Sequence, residues 1–173
     1  MPNTRGSILL FKATSSLVDR AISYATGGPF VHIEIALDGM RMIGAHTNGI
    51  GISSIPVIWG GRLYTTEEGI ENGLEWAQQQ VGRSYGWTDI AFQAVKFIMP
   101  NNPFQFGRVG RWDCSDFATR YIQQCGIVLP TDFDTPYANT PNDIARLLGI
   151  LPARKPGQAG VPIARLDTRE VQP

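Results

Sequence analysis

Phe30 to Leu37, FVHIEIAL, constrains the fold of this chain more than any other stretch. Val31, Ile33, Ile35 and Leu37 fall on one face of an extended strand, and His32, Glu34 and Ala36 on the other. Asp38-Gly39 follows as a hairpin turn, and Met40 to Ala45 returns as a second strand. Gly49 to Ile55 makes a third, ended by Pro56, and Ser7 to Lys12 (SILLFK) is a short buried strand ahead of them.

The spacing of apolar residues predicts helices around this sheet. Ser15 or Ser16 caps a segment with Leu17, Val18, Ala21, Ile22 and Ala25 at helical spacing, and Gly27-Gly28-Pro29 ends it. Thr65-Thr66-Glu67-Glu68 opens a helix to about Val81, with Leu74, Ala77 and Val81 on its apolar face and Trp76 near the edge. A further helix begins at Thr88 or Asp89 and stops at Pro100, followed by a loop over 101–110. Asp113 then caps a helix in which Cys114, Phe117, Ala118, Tyr121, Ile122 and Cys125 recur on one face. Thr140-Pro141-Asn142-Asp143 opens a last short helix to about Leu148. The expected class is α+β: a small, mostly antiparallel sheet of three to five strands packed by helices. Residues 1–150 are expected to form one domain. From Leu151 to Pro173 periodicity is lost, which predicts a loose C-terminal tail suited to docking.

Charge excludes some partners. Lys plus Arg and Asp plus Glu number 15 each, so neither nucleic acid nor an anionic membrane is expected as the main partner. The N-terminal apolar run, Ile8 to Phe11, is too short for a signal-peptide core or a membrane span. The expectation is a protein made and kept in a cytoplasm, or released by lysis or within a particle. On one straight helix Cys114 and Cys125 would lie about 16 Å apart, too far for a disulfide. The two cysteines and two histidines contain no closely spaced ligand pair, so neither a metal site nor a cofactor is expected.

Cys114 opens its helix, where the partial positive charge of the N-terminus favours thiolate over thiol. A cysteine nucleophile needs a base, and the base an orienting group. His32 is the first candidate base. Glu34, two residues on and on the same strand face, starts about 6.5–7 Å away and can reach the imidazole to hold one tautomer. His46, after the second strand, is the alternative orienter. Asp116 would oppose a thiolate and is assigned to capping. The plain structural alternatives are a capped helix with a buried cysteine, a sheet-edge histidine and a solvated glutamate.

Tyr85-Gly86-Trp87, a loop, and then WDCSDFATRYIQQCGIVLP resemble the core of the NlpC-type papain-like cysteine peptidases, and VHIEIALDGMRMIGAH resembles that family's histidine strand and hairpin. His32 precedes Cys114 here, an order similar to the circularly permuted branch with YiiX-like proteins, the lecithin retinol acyltransferase group and phage-encoded relatives. The resemblance covers about residues 7–130. It implies a papain-like fold, Cys114 as nucleophile, His32 as base and Tyr85 beside the oxyanion site, with the Cys114 N–H as one oxyanion donor. The family's third polar residue usually stands on the next strand, twelve residues after the histidine. That position is Gly44 here, while Glu34 stands where the ordinary family commonly has glycine.

The implied activity is cysteine-dependent hydrolysis of amide bonds, foremost in peptidoglycan stem peptides, as would suit a cell-wall hydrolase carried in a phage tail with virion proteins contacting its C-terminal tail. A non-catalytic structural or plug subunit keeping the same fold is the competing class. A lipid acyltransferase or thioesterase is the third, and would need an apolar groove such as Phe92, Val95, Phe97, Ile98 and Met99 could line.

Overall fold

The computed structural model describes residues 5–46, 48–55, 59–61, 65–84, 113–130 and 140–152. The expected helix from Thr88, the 101–110 loop, Tyr85, the proposed apolar groove and the tail beyond 152 lie outside the described residues. Within them the chain is α+β. Five strands, β1 (Ile8–Lys12), β2 (Phe30–Ala36), β3 (Arg41–His46), β4 (Gly49–Ser54) and β5 (Trp59–Gly61), form one sheet in the order β4-β3-β2-β1-β5. Every neighbouring pair is antiparallel. Four helices accompany it: α1 (Leu17–Thr26), α2 (Glu67–Gln79), α3 (Cys114–Gln124) and α4 (Pro141–Leu147).

The main core lies on one sheet face. Ile8, Leu10, Ile33, Ile35, Ile43 and Ala45 pack there against Phe117, Tyr121 and Ile122 of α3 and Ile144 of α4. Leu9, Ala36 and Met42 form a smaller cluster, joined by Phe11 and Ile55. The unbroken apolar run of β1 follows from this, because successive strand residues serve the two clusters in turn. Alternation in β2 is broken at its start. The β1–β2 register shifts between Phe11 and Lys12, so that Phe11 faces His32 while Lys12 faces Phe30. Phe30 consequently enters the main core and Val31, expected there, is only half-buried.

The β2–β3 turn stands where Asp38-Gly39 predicts, but Asp38 builds it. Its carboxylate accepts from the Met40 and Arg41 N–H groups, both at 2.7 Å, and pairs with the Arg41 guanidinium. Side-chain caps set the helix starts: Ser16, Thr66, Asp113 and Thr140 each accept the N–H three residues on. At α1 the apolar stripe does not bury. Leu17 and Val18 are exposed, so periodicity there predicts the helix correctly but not its packing. In α2 the buried face is Gly69, Ile70, Gly73, Leu74 and Ala77, and Val81 is exposed beyond the helix end.

Two contacts hold α2 and α4 in place. Gly69 and Gly73 share a face of α2, and each costs about 1 kcal/mol of helix propensity relative to alanine. A methyl at Gly69 would lie 2.5 Å from the Cys125 carbonyl oxygen, and one at Gly73 would collide with the Cys125 sulfur and the Tyr121 ring. The glycines let the end of α3 press against α2, where Trp76 also stacks on Phe117 at 5.5 Å. In α4, Asn142 is fully buried. Its Oδ1 accepts from the Phe30 N–H at 2.9 Å, and its Nδ2 donates to the Phe30 carbonyl at 2.8 Å and to Thr26 Oγ1 at 2.6 Å. One side-chain amide thus serves both main-chain groups of Phe30, as a neighbouring strand would. Arg146 donates to the Gly27 carbonyl and pairs with Asp143, closing the clamp on the α1–β2 connection.

Replacing Asn142 with alanine leaves buried main-chain groups of Phe30 unsatisfied. The expected cost is about 2–4 kcal/mol, measured as a lower urea midpoint with an unchanged denaturant slope.

Candidate active site

Glu34 is the centre of the site. It sits on β2 and is 2% exposed. An ionised carboxylate is costly to bury unless it is paired and hydrogen-bonded. Glu34 has three polar neighbours: Oε1 lies 3.1 Å from His32 Nε2 and 3.5 Å from His46 Nδ1, and Oε2 accepts from Ser53 Oγ at 3.5 Å. The solvated glutamate expected as its plain alternative is therefore not what the fold contains.

The hairpin register makes room for that carboxylate. Glu34 is the cross-strand partner of Gly44. A methyl group on Gly44 would lie 2.6 Å from Glu34 Cγ and 3.0 Å from its carboxyl carbon. Two side chains cannot occupy this place, so a carboxylate on β2 requires a residue without one on β3. Gly44, which looks in sequence like a missing polar residue, is the vacancy into which Glu34 folds.

His32 is about one-quarter exposed, with its ring 5.3 Å from that of Phe11 and tilted by 56°. Its Nε2 faces Glu34. Its other partner is Cys114, the first residue of α3 and 8% exposed. With Nε2 engaged, Nδ1 is the nitrogen left for the sulfur. Burial on its own lowers the imidazolium pKa. The hydrogen bond and charge interaction with Cys114, followed by those with Glu34, outweigh it and raise His32 from the ordinary 6.5 to about 10. A charged His32 beside Cys114 has its proton ready to give to a departing group.

The start of α3 is ordered by Asp113. Its side chain accepts from the Asp116 N–H at 2.8 Å, and its carbonyl accepts from the Phe117 N–H at 3.0 Å. The Cys114 N–H belongs to the first helical turn, which has no intrahelical acceptor and can face an oxyanion. Ser115 Oγ lies 4.0 Å from Cys114 Sγ. Cys125, at the far end of α3, is also a free thiol. Burial pushes its pKa up to about 11, with a hydrogen bond to Tyr121 opposing, so it is a built-in unreactive comparison.

The structure thus brings Cys114, His32, Glu34 and His46 into one cluster; Tyr85 lies outside the described residues. Glu34 and His46, read from sequence as alternatives, both reach the site, with His46 on the Glu34 oxygen that also holds His32. Ser53 and the packing role of Gly44 were not anticipated. Pairing the hairpin residues outward from the Asp38-Gly39 turn would have pointed to Gly44; Ser53 depends on the β3–β4 register. No two of the cysteines and histidines stand close together in sequence, yet the hairpin assembles His32, Glu34 and His46 with ligand atoms within 4.8 Å of one another. No helix among the described residues is long and apolar enough to cross a membrane. A scan against protein-family models finds no match, and a search of curated proteins finds none either.

An NMR titration tests this electrostatic arrangement. His32 is expected to titrate near 10 in the wild type and to fall back towards 6.5 in Cys114→Ser and in Gly44→Ala, whose methyl displaces Glu34. Because the folded value lies above the unfolded one, the His32 contribution to stability is whole below about pH 6.5 and is lost as pH rises towards 10. Urea midpoints of wild type and His32→Gln should converge over that window.

Proposed function

We propose that this chain is a cysteine hydrolase of amide bonds, with a permuted papain-like arrangement in which the histidine strand precedes the cysteine helix. The observation that supports it most is the linked set Glu34–His32–Cys114. A buried carboxylate holds one nitrogen of an imidazole, and that imidazole touches a cysteine at a helix N-terminus. A structural role for the cysteine does not require a buried glutamate two contacts away, whereas an oriented base does.

In this reading the Cys114 sulfur attacks the carbonyl carbon and forms the C–S bond. The negative charge on the carbonyl oxygen is received at the α3 N-terminus, with the Cys114 N–H as one donor. His32 gives its proton to the nitrogen of the scissile amide, the C–N bond breaks, and an amine leaves. Neutral His32 then takes a proton from water. The hydroxide adds to the thioester carbonyl, and collapse returns the Cys114 sulfur and releases the acid. Glu34 keeps the imidazole in position and stabilises its charged form without itself taking the proton.

The resemblance to NlpC-type enzymes favours peptidoglycan stem peptides as substrates, and a cell-wall hydrolase of a phage tail as the setting, with 151–173 as the segment contacting virion proteins. One observation favours the second reading, a catalytically silent plug subunit: Cys114 is only 8% exposed. The acyltransferase reading depends on an apolar groove outside the described residues.

The test is digestion of purified muropeptides followed by mass spectrometry. New amine and carboxylate ends should appear with the wild type, and the rate should fall roughly a thousandfold or more in Cys114→Ser and in His32→Ala. Equal product from wild type and Cys114→Ser would remove the hydrolase reading. No cleavage by a wild type whose Cys114 also resists alkylation would favour the plug.

A further inference from the structure

The hydrolytic arrangement leaves one residue without a task. Glu34 alone orients His32, yet His46 is turned onto the same Glu34 oxygen through Nδ1. Its Nε2 is buried and has no hydrogen-bond partner among the described residues. The ring's polar contact is made by Nδ1, beside the place where His32 Nε2 meets Glu34 Oε1.

The spacing of these atoms suits a metal. Two ligands bound to zinc at about 2.0–2.1 Å with a tetrahedral angle between them lie about 3.3 Å apart. The N–O separations here are 3.1 Å and 3.5 Å, on either side of that value, and the three ligand atoms lie within 4.8 Å of one another, so a bound cation would draw the two imidazole nitrogens closer together. A ligating carboxylate is usually held by an outer hydrogen bond, and Ser53 Oγ supplies one to Glu34 Oε2. The donor set also selects. Two imidazole nitrogens and one carboxylate oxygen suit zinc and its neighbours, whereas calcium and magnesium take oxygen ligands. His32 and His46 are each about one-quarter exposed, so a fourth position could be filled by water.

We propose that His32, Glu34 and His46 form a binding site for a zinc-class divalent cation, and that the cation-bound and hydrolytic forms of the cluster are mutually exclusive. A cation on Nε2 leaves the ring proton on Nδ1, the nitrogen that Glu34 does not engage and that remains for Cys114. No lone pair then remains there to accept a proton from the thiol or from water. Glu34 Oε1 is likewise committed to the cation and no longer accepts a hydrogen bond from His32. The site would switch the thiol chemistry off when zinc is bound and restore it when zinc is removed.

Equilibrium dialysis against Zn2+ tests this on the full chain carrying Cys114→Ser, which removes the thiol as a competing ligand. One zinc per chain is expected, and Mg2+ should not compete. His46→Ala in the same background should weaken binding by roughly a hundredfold, at least the effect of losing an outer partner. Thermal unfolding guards against a folding artefact: zinc should raise the midpoint of Cys114→Ser but not that of Cys114→Ser/His46→Ala. Absence of zinc binding, or equal binding in the His46→Ala chain, would overturn the proposal. Muropeptide cleavage in the presence of a chelator separates the two ideas, since a chain that cleaves but binds no zinc loses only the cation site.

Discussion

A buried carboxylate is the constraint on which the rest of this structure depends. Glu34 lies almost wholly out of water in the middle of a sheet, where an unpartnered charge would be among the most destabilising features a small fold could carry. It is tolerated because three chain segments bring polar atoms to it: His32 from its own strand, His46 from the next and Ser53 from the one after. Those segments are consecutive in sequence and joined by short turns. The same hairpins that make the sheet therefore assemble the cluster, and Gly44 opposite Glu34 leaves the space in which it forms.

The helices serve that cluster from outside. Helix α3 carries Cys114 to His32, and its position is fixed at the other end by close packing on Gly69 and Gly73 of α2. Through Asn142, helix α4 grips the start of β2 at Phe30, two residues before His32. The β1–β2 register shift lies beside that grip and moves Phe30 into the core. Base and nucleophile are thus each held by regular elements whose ends are tied down. Side chains placed in this way lose little freedom on reaching a reactive geometry.

Much of this was legible because it rests on local rules. Alternation disclosed β2, and capping residues marked the starts of all four described helices, since both signals lie within a few residues of what they specify. Cys114, His32 and Glu34 could be singled out for the same reason: a helix-start cysteine and a strand-face pair two residues apart are local patterns. What could not be read depends on partners distant in sequence. β5 is three residues long and shows no alternation; only its pairing with β1 reveals it. The displacement of Val31 by Phe30 follows from the register with β1. Asn142 looked like part of a helix-opening turn, and its burial against Phe30 needs α4 to dock on β2. His46 and Glu34 looked like competitors because sequence spacing cannot show two side chains meeting at one oxygen.

The central claim is that Glu34 and His32 activate Cys114, and its most direct test is the rate of Cys114 alkylation by iodoacetamide as a function of pH. Peptide mass spectrometry would follow Cys125 in the same molecules as the buried comparison. The account predicts that Cys114 reacts readily near pH 6 while Cys125 does not, that His32→Ala abolishes the difference, and that Glu34→Gln reduces it. A Cys114 whose reactivity rises only as an ordinary thiol's does, around pH 8.5, and is unchanged by His32→Ala would contradict it.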